Sequence, residues 1–419
     1  MREMIHLHRR RGSMYVAVIG CSLVITVIGV SALLATRIER RAAEGTSDLS
    51  DARVYAQSAV YLGMYMIQSD PNWRTTRSSG VWKSNQPIGD GTYSLSGVDP
   101  IDGILSNSTS DPLVLSGTGS LGQSRYKLQV TLVAKPKALT CLQVAMHAGT
   151  NMTFSSATVQ SNQITISANG SATATSSLIY PKVEVVTSFS GSSYQTLPKT
   201  GITPRTMPDA TVFDYYIANG TPITYATIAK SQGKTTIEKA VLSPASNPYG
   251  LTNPMGVYVI DCLGGDLRIR NLRIVGTLVI LNPGVFSVEQ SVNWEPAIPN
   301  YPSLLVRGNA NLIFDNAILS EPSENVNYNP AGTPYQGVSD ADELDSYPSL
   351  IKGLIYASLN VAISSYVTID GVLVVGNNLS TTNNLTLTYK STFYDNPPPG
   401  FAGAPGMVIS PGTWTQVVN

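Results

Sequence analysis

Between Arg11 and Arg37 the chain carries no charged side chain; the 25 residues from Gly12 to Thr36 are dominated by Val, Ile, Leu and Ala. As a helix, about 20 such residues cross the hydrocarbon core of a bilayer. No other stretch constrains the fold as strongly, because outside a membrane this helix needs apolar partners on every side. A secretory signal usually holds ~7–15 apolar residues before a small-residue cleavage site. Here the run is longer and is followed directly by the charged "TRIERR" of Thr36 to Arg41. The expectation is a single membrane span, weighed against a cleaved signal peptide and a buried core helix. Arg2, Arg9, Arg10 and Arg11 precede the run and Arg37, Arg40, Arg41 and Arg53 follow it, so the positive-inside count is a tie. A short basic segment on one side and a large Ser/Thr-rich domain on the other place the N-terminus in the cytoplasm and the C-terminal domain in the periplasm or outside.

The helix is expected to continue past the membrane. No proline occurs before Pro71, and Leu49, Ala52, Ala56, Ala59, Val60, Gly63, Met64 and Ile67 recur at three- and four-residue spacing. Gly45 to Asp48 is a candidate interruption, and Ser69 to Trp73 ends the pattern. A helix over residues 13–69 is ~85 Å long at 1.5 Å per residue.

A helix half apolar and half amphipathic, behind a basic leader ending in Gly, resembles the pilin and pseudopilin family, and in particular the minor pilins of the PilX type. The residues that carry the resemblance are "RRRG" (Arg9 to Gly12) followed by "SMYVAVIG" (Ser13 to Gly20). It implies prepilin-peptidase cleavage between Gly12 and Ser13, anchorage in the inner membrane, and partners among other pilin-like subunits and the pilus or secretion assembly machinery. Pilins carry Glu five residues into the mature chain, where it neutralises a neighbouring amino terminus in a low-dielectric core. This chain has Ala17 at that position, which suits a tip subunit or a permanent anchor.

Lys plus Arg and Asp plus Glu number 27 each, so no basic surplus exists to neutralise phosphates, and nucleic acid is not expected as a partner. After about residue 75, Ser, Thr, Asn and Gly are abundant and helix formers scarce, which favours strands. "GDGTYSLSGVDPIDG" (Gly89 to Gly103) and "DPLVLSGTGSLGQSRYKLQVTLVAK" (Asp111 to Lys135) read as strands between turns, with Tyr126, Leu128, Val130 and Leu132 on one buried face. This region is similar to the small sheet that packs on the pilin helix, so the resemblance covers about residues 9–135.

Beyond it the rhythm changes. Leu267, Ile269, Leu272, Ile274, Leu278 and Ile280 form pulses too short for helices, and similar pulses recur at 152–177, 304–321 and 353–389 with Gly and Asn between them. Such spacing is the signature of a parallel β-helix, or solenoid, with a β-sandwich as the alternative. Segments 293–303 and 321–349 are expected to leave the coils as surface loops. "VFDYYIANGTPI" (Val212 to Ile223), "GVYVIDC" (Gly256 to Cys262) and "LTYKSTFYDNPPPGF" (Leu387 to Phe401) resemble a solenoid-type domain found on PilX-like N-termini in envelope proteins of unassigned function. The expected fold class is therefore mainly β with a long N-terminal α-helix. Its segments are a leader at 1–12, the helix at 13–69, a small sheet at 70–137, a solenoid at 138–402 and a C-terminal tail at 403–419.

Chemistry is sparse. His6 and His8 lie in the leader and His147 stands alone, so no histidine-based triad or zinc cluster assembles beyond the span. No phosphate-binding loop or dinucleotide fingerprint is present. Asp340, Asp342, Glu343 and Asp345 supply hard oxygen ligands within six residues, a calcium candidate weighed against a solvated acidic loop. Cys141 and Cys262 are either a disulfide or two buried thiols. Arg268, Arg270 and Arg273 near Asp261 and Asp266 mimic a polysaccharide-cleaving constellation, weighed against outward ion pairs. Tyrosines number 21, with clusters at Tyr55, Tyr61 and Tyr65 and at Tyr215 and Tyr216, and suit either glycan contact or half-wet packing. Two functions stay open: a non-enzymatic, pilin-like envelope subunit or tip protein displaying a solenoid for assembly or adhesion, and an anchored solenoid that binds or cleaves polysaccharide.

Overall fold

The computed structural model describes residues 12–162 and 165–418, which fall into two compact units, Met1–Lys135 with Pro405–Asn419 and Pro136–Ala404. Residues 1–11 of the basic leader expected at 1–12 lie outside the described residues, and Gly12 is already helical.

In the first unit, helix α1 (Gly12–Ser69) runs for 58 residues without a break, so Gly45 to Asp48 does not interrupt it. No proline interrupts it before Pro71, and the Arg40 and Glu44 side chains meet at 2.8 Å one turn apart. Strands β1 (Gly80–Ile88), β2 (Gly91–Val98), β3 (Leu113–Leu121) and β4 (Ser124–Ala138) form an antiparallel meander. Strict alternation puts Leu113 and Leu115 of β3 beside Leu95, Val130 and Leu132, and this face buries Ala59, Val60 and Ile67 of α1. Val130 and Leu132 are buried as expected, whereas Tyr126 and Leu128 are only half-buried. The segment read as a tail is instead part of this sheet. Ala402–Ile409 lies beside β4, and Thr415 and Gln416 pair with Gln129 and Leu128, which covers an edge that would otherwise expose unpaired backbone groups.

The second unit is a parallel β-solenoid, and the sandwich alternative does not form. Three ladders run along it. One is followed through the outward row Val259, Val279, Leu305, Tyr356, Val374, His147, Ser167 and Glu184, each paired in parallel register with the next. Their neighbours Ile260, Ile280, Val306, Ala357, Val375, Ala148, Ala168 and Val185 point into the core. Coil order does not follow chain order. Residues 146–190 stack outward, the next coils begin at the opposite end with Thr221–Pro222 and Lys234–Leu242, and the chain works back until Leu373, Leu379 and Leu385 pair with Met146, Met152 and Val159.

The connection between the two ends carries Val212, Phe213 and Tyr216, which pack on the outer face of this ladder with Val259, Val279, Leu305 and Tyr356. Strands there are buried on both faces, which is why Val257–Asp261 and Thr277–Leu281 read as continuous apolar runs. Met152–Ser155, Ala172–Thr175 and Leu379–Thr381 have one open face and alternate.

Candidate functional site

The first candidate site is the apolar half of α1. From Met14 to Ile38 its Val, Ile and Leu side chains are all largely exposed, and the helix meets the length and hydropathy of a single candidate membrane span. Gly12 and Ser13 form the start of the helix, and Ala17 lies within the exposed apolar stretch. The second half docks through small residues: Gly117 and Gly119 face the Ala56 and Ala52 carbonyls so closely that no Cβ fits between them.

The acidic loop does not gather its four carboxylates. Asp340 and Asp345 both accept from the Asn329 amide, at 3.3 and 3.0 Å, while Asp342 accepts from the Leu344 backbone N–H and Glu343 is exposed. Asn329 draws Asp340 and Asp345 together while Asp342 turns to its own loop backbone, so the four carboxylates do not meet at one point. Among the described residues, oxygens of three acids converge instead at Asp99, Asp102 and Asp111, residues that the sequence offered only as turn formers.

What fastens the acidic insert is the fully buried Glu321. Its carboxylate accepts from the Tyr328 and Asp345 backbone N–H groups and from the Tyr347 hydroxyl, the last two at 2.9 and 2.8 Å. Arg273, also fully buried, donates to the carbonyls of Tyr328, Thr333 and Pro334 and pairs with Glu295 at 3.4 Å. Burial lowers the Arg273 pKa, with Glu295 opposing it.

The other strand arginines are also matched to glutamates: Arg270 to Glu238 at 2.5 Å and Arg268 to Glu289 at 3.8 Å. Burial acts to raise the Glu238 pKa, yet hydrogen bonds from Arg270 and Ser231 outweigh it and hold the carboxyl below its usual range. Asp261 and Asp266 instead cap turns, accepting from Leu263 and Val285 backbone N–H groups. The structure therefore does not join those aspartates to the arginines as the sequence had suggested.

Cys141 and Cys262 are free thiols in different hydrophobic clusters, which corrects the possible disulfide. Burial pushes both up to about 12. His147 is buried in the outward ladder row with Nδ1 2.7 Å from the Ser167 hydroxyl, and desolvation, helped by the Arg205 charge, depresses its pKa to about 3. The tyrosine pairs pack and hydrogen-bond: the Tyr215 and Tyr301 hydroxyls meet at 2.6 Å, and Tyr216 donates to the Pro399 carbonyl.

On the solenoid, Asn309 accepts from Asn360 and Asn360 accepts from Asn378, forming an amide ladder. It lines an open groove of about 530 Å³ with Asn311 and Ser380.

No known protein family matches the chain, and no curated protein matches it. Among solved structures, the competence-associated pilin ComZ from Thermus thermophilus aligns over 88% of this chain and 97% of its own, at 11% identity and a TM-score of 0.31. An ice binding protein from an Antarctic Biological Consortium aligns over 61% of this chain and 91% of its own, at 13% identity and a TM-score of 0.24.

Proposed function

We propose that this chain is a non-enzymatic, pilin-like subunit of the cell envelope, held in the inner membrane by α1 with its N-terminus in the cytoplasm. Its solenoid is displayed on the far side for assembly or adhesion. The observation that carries this reading is one unbroken 58-residue helix whose first half is bare and apolar while its second half is docked on a small antiparallel sheet. A bare apolar half-helix has two uses, burial in lipid and burial against the same half of other subunits, and both lower the free energy by removing apolar surface from water. Ala17 in place of a carboxylate leaves no group there to neutralise a neighbour's amino terminus, which favours a tip position or a permanent anchor over a repeating filament position.

The decisive test is the N-terminus of the membrane-extracted protein, read by intact mass and terminal peptide sequencing. A start at Ser13 supports a processed pilin-like subunit, and a start at Met1 supports a permanent single-span anchor. A start beyond about Ala43 overturns the membrane reading, because the whole apolar run would be absent from the mature chain.

The amide-lined groove favours a second reading, a solenoid that binds polysaccharide, since side-chain amides donate to and accept from sugar hydroxyls. Retention of the protein on an envelope polysaccharide, lost on Asn360→Ala, supports it; no retention removes it.

A further inference from the structure

The loop that joins β2 to β3 brings three carboxylates together. Asp99, Asp102 and Asp111 each offer an oxygen, all within 4.8 Å of one another. Two oxygens bound to one calcium ion at about 2.4 Å lie at most about 4.8 Å apart, so the set fits a single ion. Asp99 is the informative member, because it is only 3% exposed. Its Oδ1 accepts from the Ile101 backbone N–H at 2.8 Å, while its Oδ2 is buried with no hydrogen-bond partner. An ionised oxygen removed from water and left unbonded is costly, and a bound cation removes that cost.

Arg74 feels the charges of Asp111 and Asp99 but donates no hydrogen bond to that Asp99 oxygen. Its guanidinium donates to the carbonyls of Leu105 and Asp111 and to the Met407 sulfur, and it lies 4.5 Å over the Trp73 ring. One guanidinium beside three carboxylates leaves an excess of two negative charges, which a divalent cation balances. The donors are all hard oxygens, with no His or Cys among them, which disfavours zinc. Asp102 is exposed and Asp111 half-buried, so water has access to complete the shell. Calcium accepts six to eight oxygens in adaptable geometry, whereas magnesium demands a near-ideal octahedron.

We propose that the β2–β3 loop binds one calcium ion through Asp99, Asp102 and Asp111. Binding locks the loop onto the first unit, because Leu105 within it is buried in the same cluster as Trp73, Leu95 and Leu113. This site does not depend on the pilin-like reading.

The test is titration calorimetry of the detergent-solubilised full chain, stripped with EGTA and then given calcium chloride or magnesium chloride. One calcium per chain is expected, at a Kd of about 1 mM or tighter, the range of extracellular calcium modules, with magnesium at least about tenfold weaker. Asp102→Asn changes an exposed residue and is expected to weaken calcium at least about tenfold while leaving the calcium-free melting temperature unchanged; Asp340→Asn leaves binding intact. Should Asp102→Asn fail to fold, Asp111→Asn carries the same expectation. The absence of a saturable calcium heat overturns the proposal, as does binding that a folded Asp102→Asn or Asp111→Asn variant leaves unchanged.

Discussion

Gly119 of β3 lies directly beneath the carbonyl oxygen of Ala52 in α1, and a Cβ there would also sit 2.7 Å from the Ala56 nitrogen and 2.8 Å from the Tyr55 Cβ. Two of these three neighbours are backbone, which cannot move aside as a side chain does. Gly119→Ala must therefore push the helix off the sheet, at about 1–3 kcal/mol or more. Thermal unfolding in detergent is expected to show a lower melting temperature for Gly119→Ala, with Gly406→Ala, whose Cβ meets open space, close to neutral.

Removal of the Glu321 carboxylate leaves two backbone N–H groups and the Tyr347 hydroxyl without their acceptor. Glu321→Ala is expected to cost about 2–4 kcal/mol, given about 1–3 kcal/mol for a stranded buried group. The loss concentrates in the insert that Glu321 fastens. Limited proteolysis of the native protein checks this, with cleavage between residues 322 and 345 appearing in the variant well before it appears in the parent chain.

The stability of the solenoid depends on pH through His147. Its folded pKa, about 3, lies below the ordinary 6.5, so as pH falls the unfolded chain takes up this proton first. The stability contributed by neutral His147 is complete above pH 6.5 and is lost progressively down to pH 3. The linked loss is on the order of several kcal/mol across that window. Urea unfolding at about pH 7 and about pH 4.5 is expected to show the drop, and His147→Gln, which has no titrating group, a shallower one.

Because burial raises Cys141 and Cys262 to about 12, almost no thiolate is present at neutral pH. Iodoacetamide is expected to leave both untouched in the folded protein and to alkylate both after denaturation without reductant. Peptide mass mapping distinguishes this from a disulfide, which would block both sites in the denatured, unreduced chain.

The helix was legible in the sequence because its signals are local. The uncharged run sets the candidate membrane span, and the three- and four-residue spacing of Ala52, Ala56, Ala59, Val60 and Ile67 sets the docked face. Solenoid strands were legible for the same reason, as apolar pulses such as Leu267, Ile269, Leu272 and Ile274 that all point into the core. In the acidic loop, closeness in sequence does not make side chains converge: Asp342 and Glu343 face solvent while Asp340 and Asp345 turn to Asn329. Asp99, Asp102 and Asp111 escaped notice because the same residues also make ordinary turns.

By itself, then, the sequence determined the types of element, through hydrophobic period and charge placement, and the division between an apolar helix and a strand-rich remainder. Tertiary structure alone decided which coil stacks on which and where the last residues go. Parallel coils with similar apolar rows accept one another almost interchangeably, so nothing local marks Leu373, Leu379 and Leu385 as partners of Met146, Met152 and Val159. The outer face of that stack is covered by Val212, Phe213 and Tyr216, which come from a connection distant in sequence from most of the strands they cover. Likewise, the return of Ala402–Ile409 to β4 satisfies an edge that exists only once the sheet has formed.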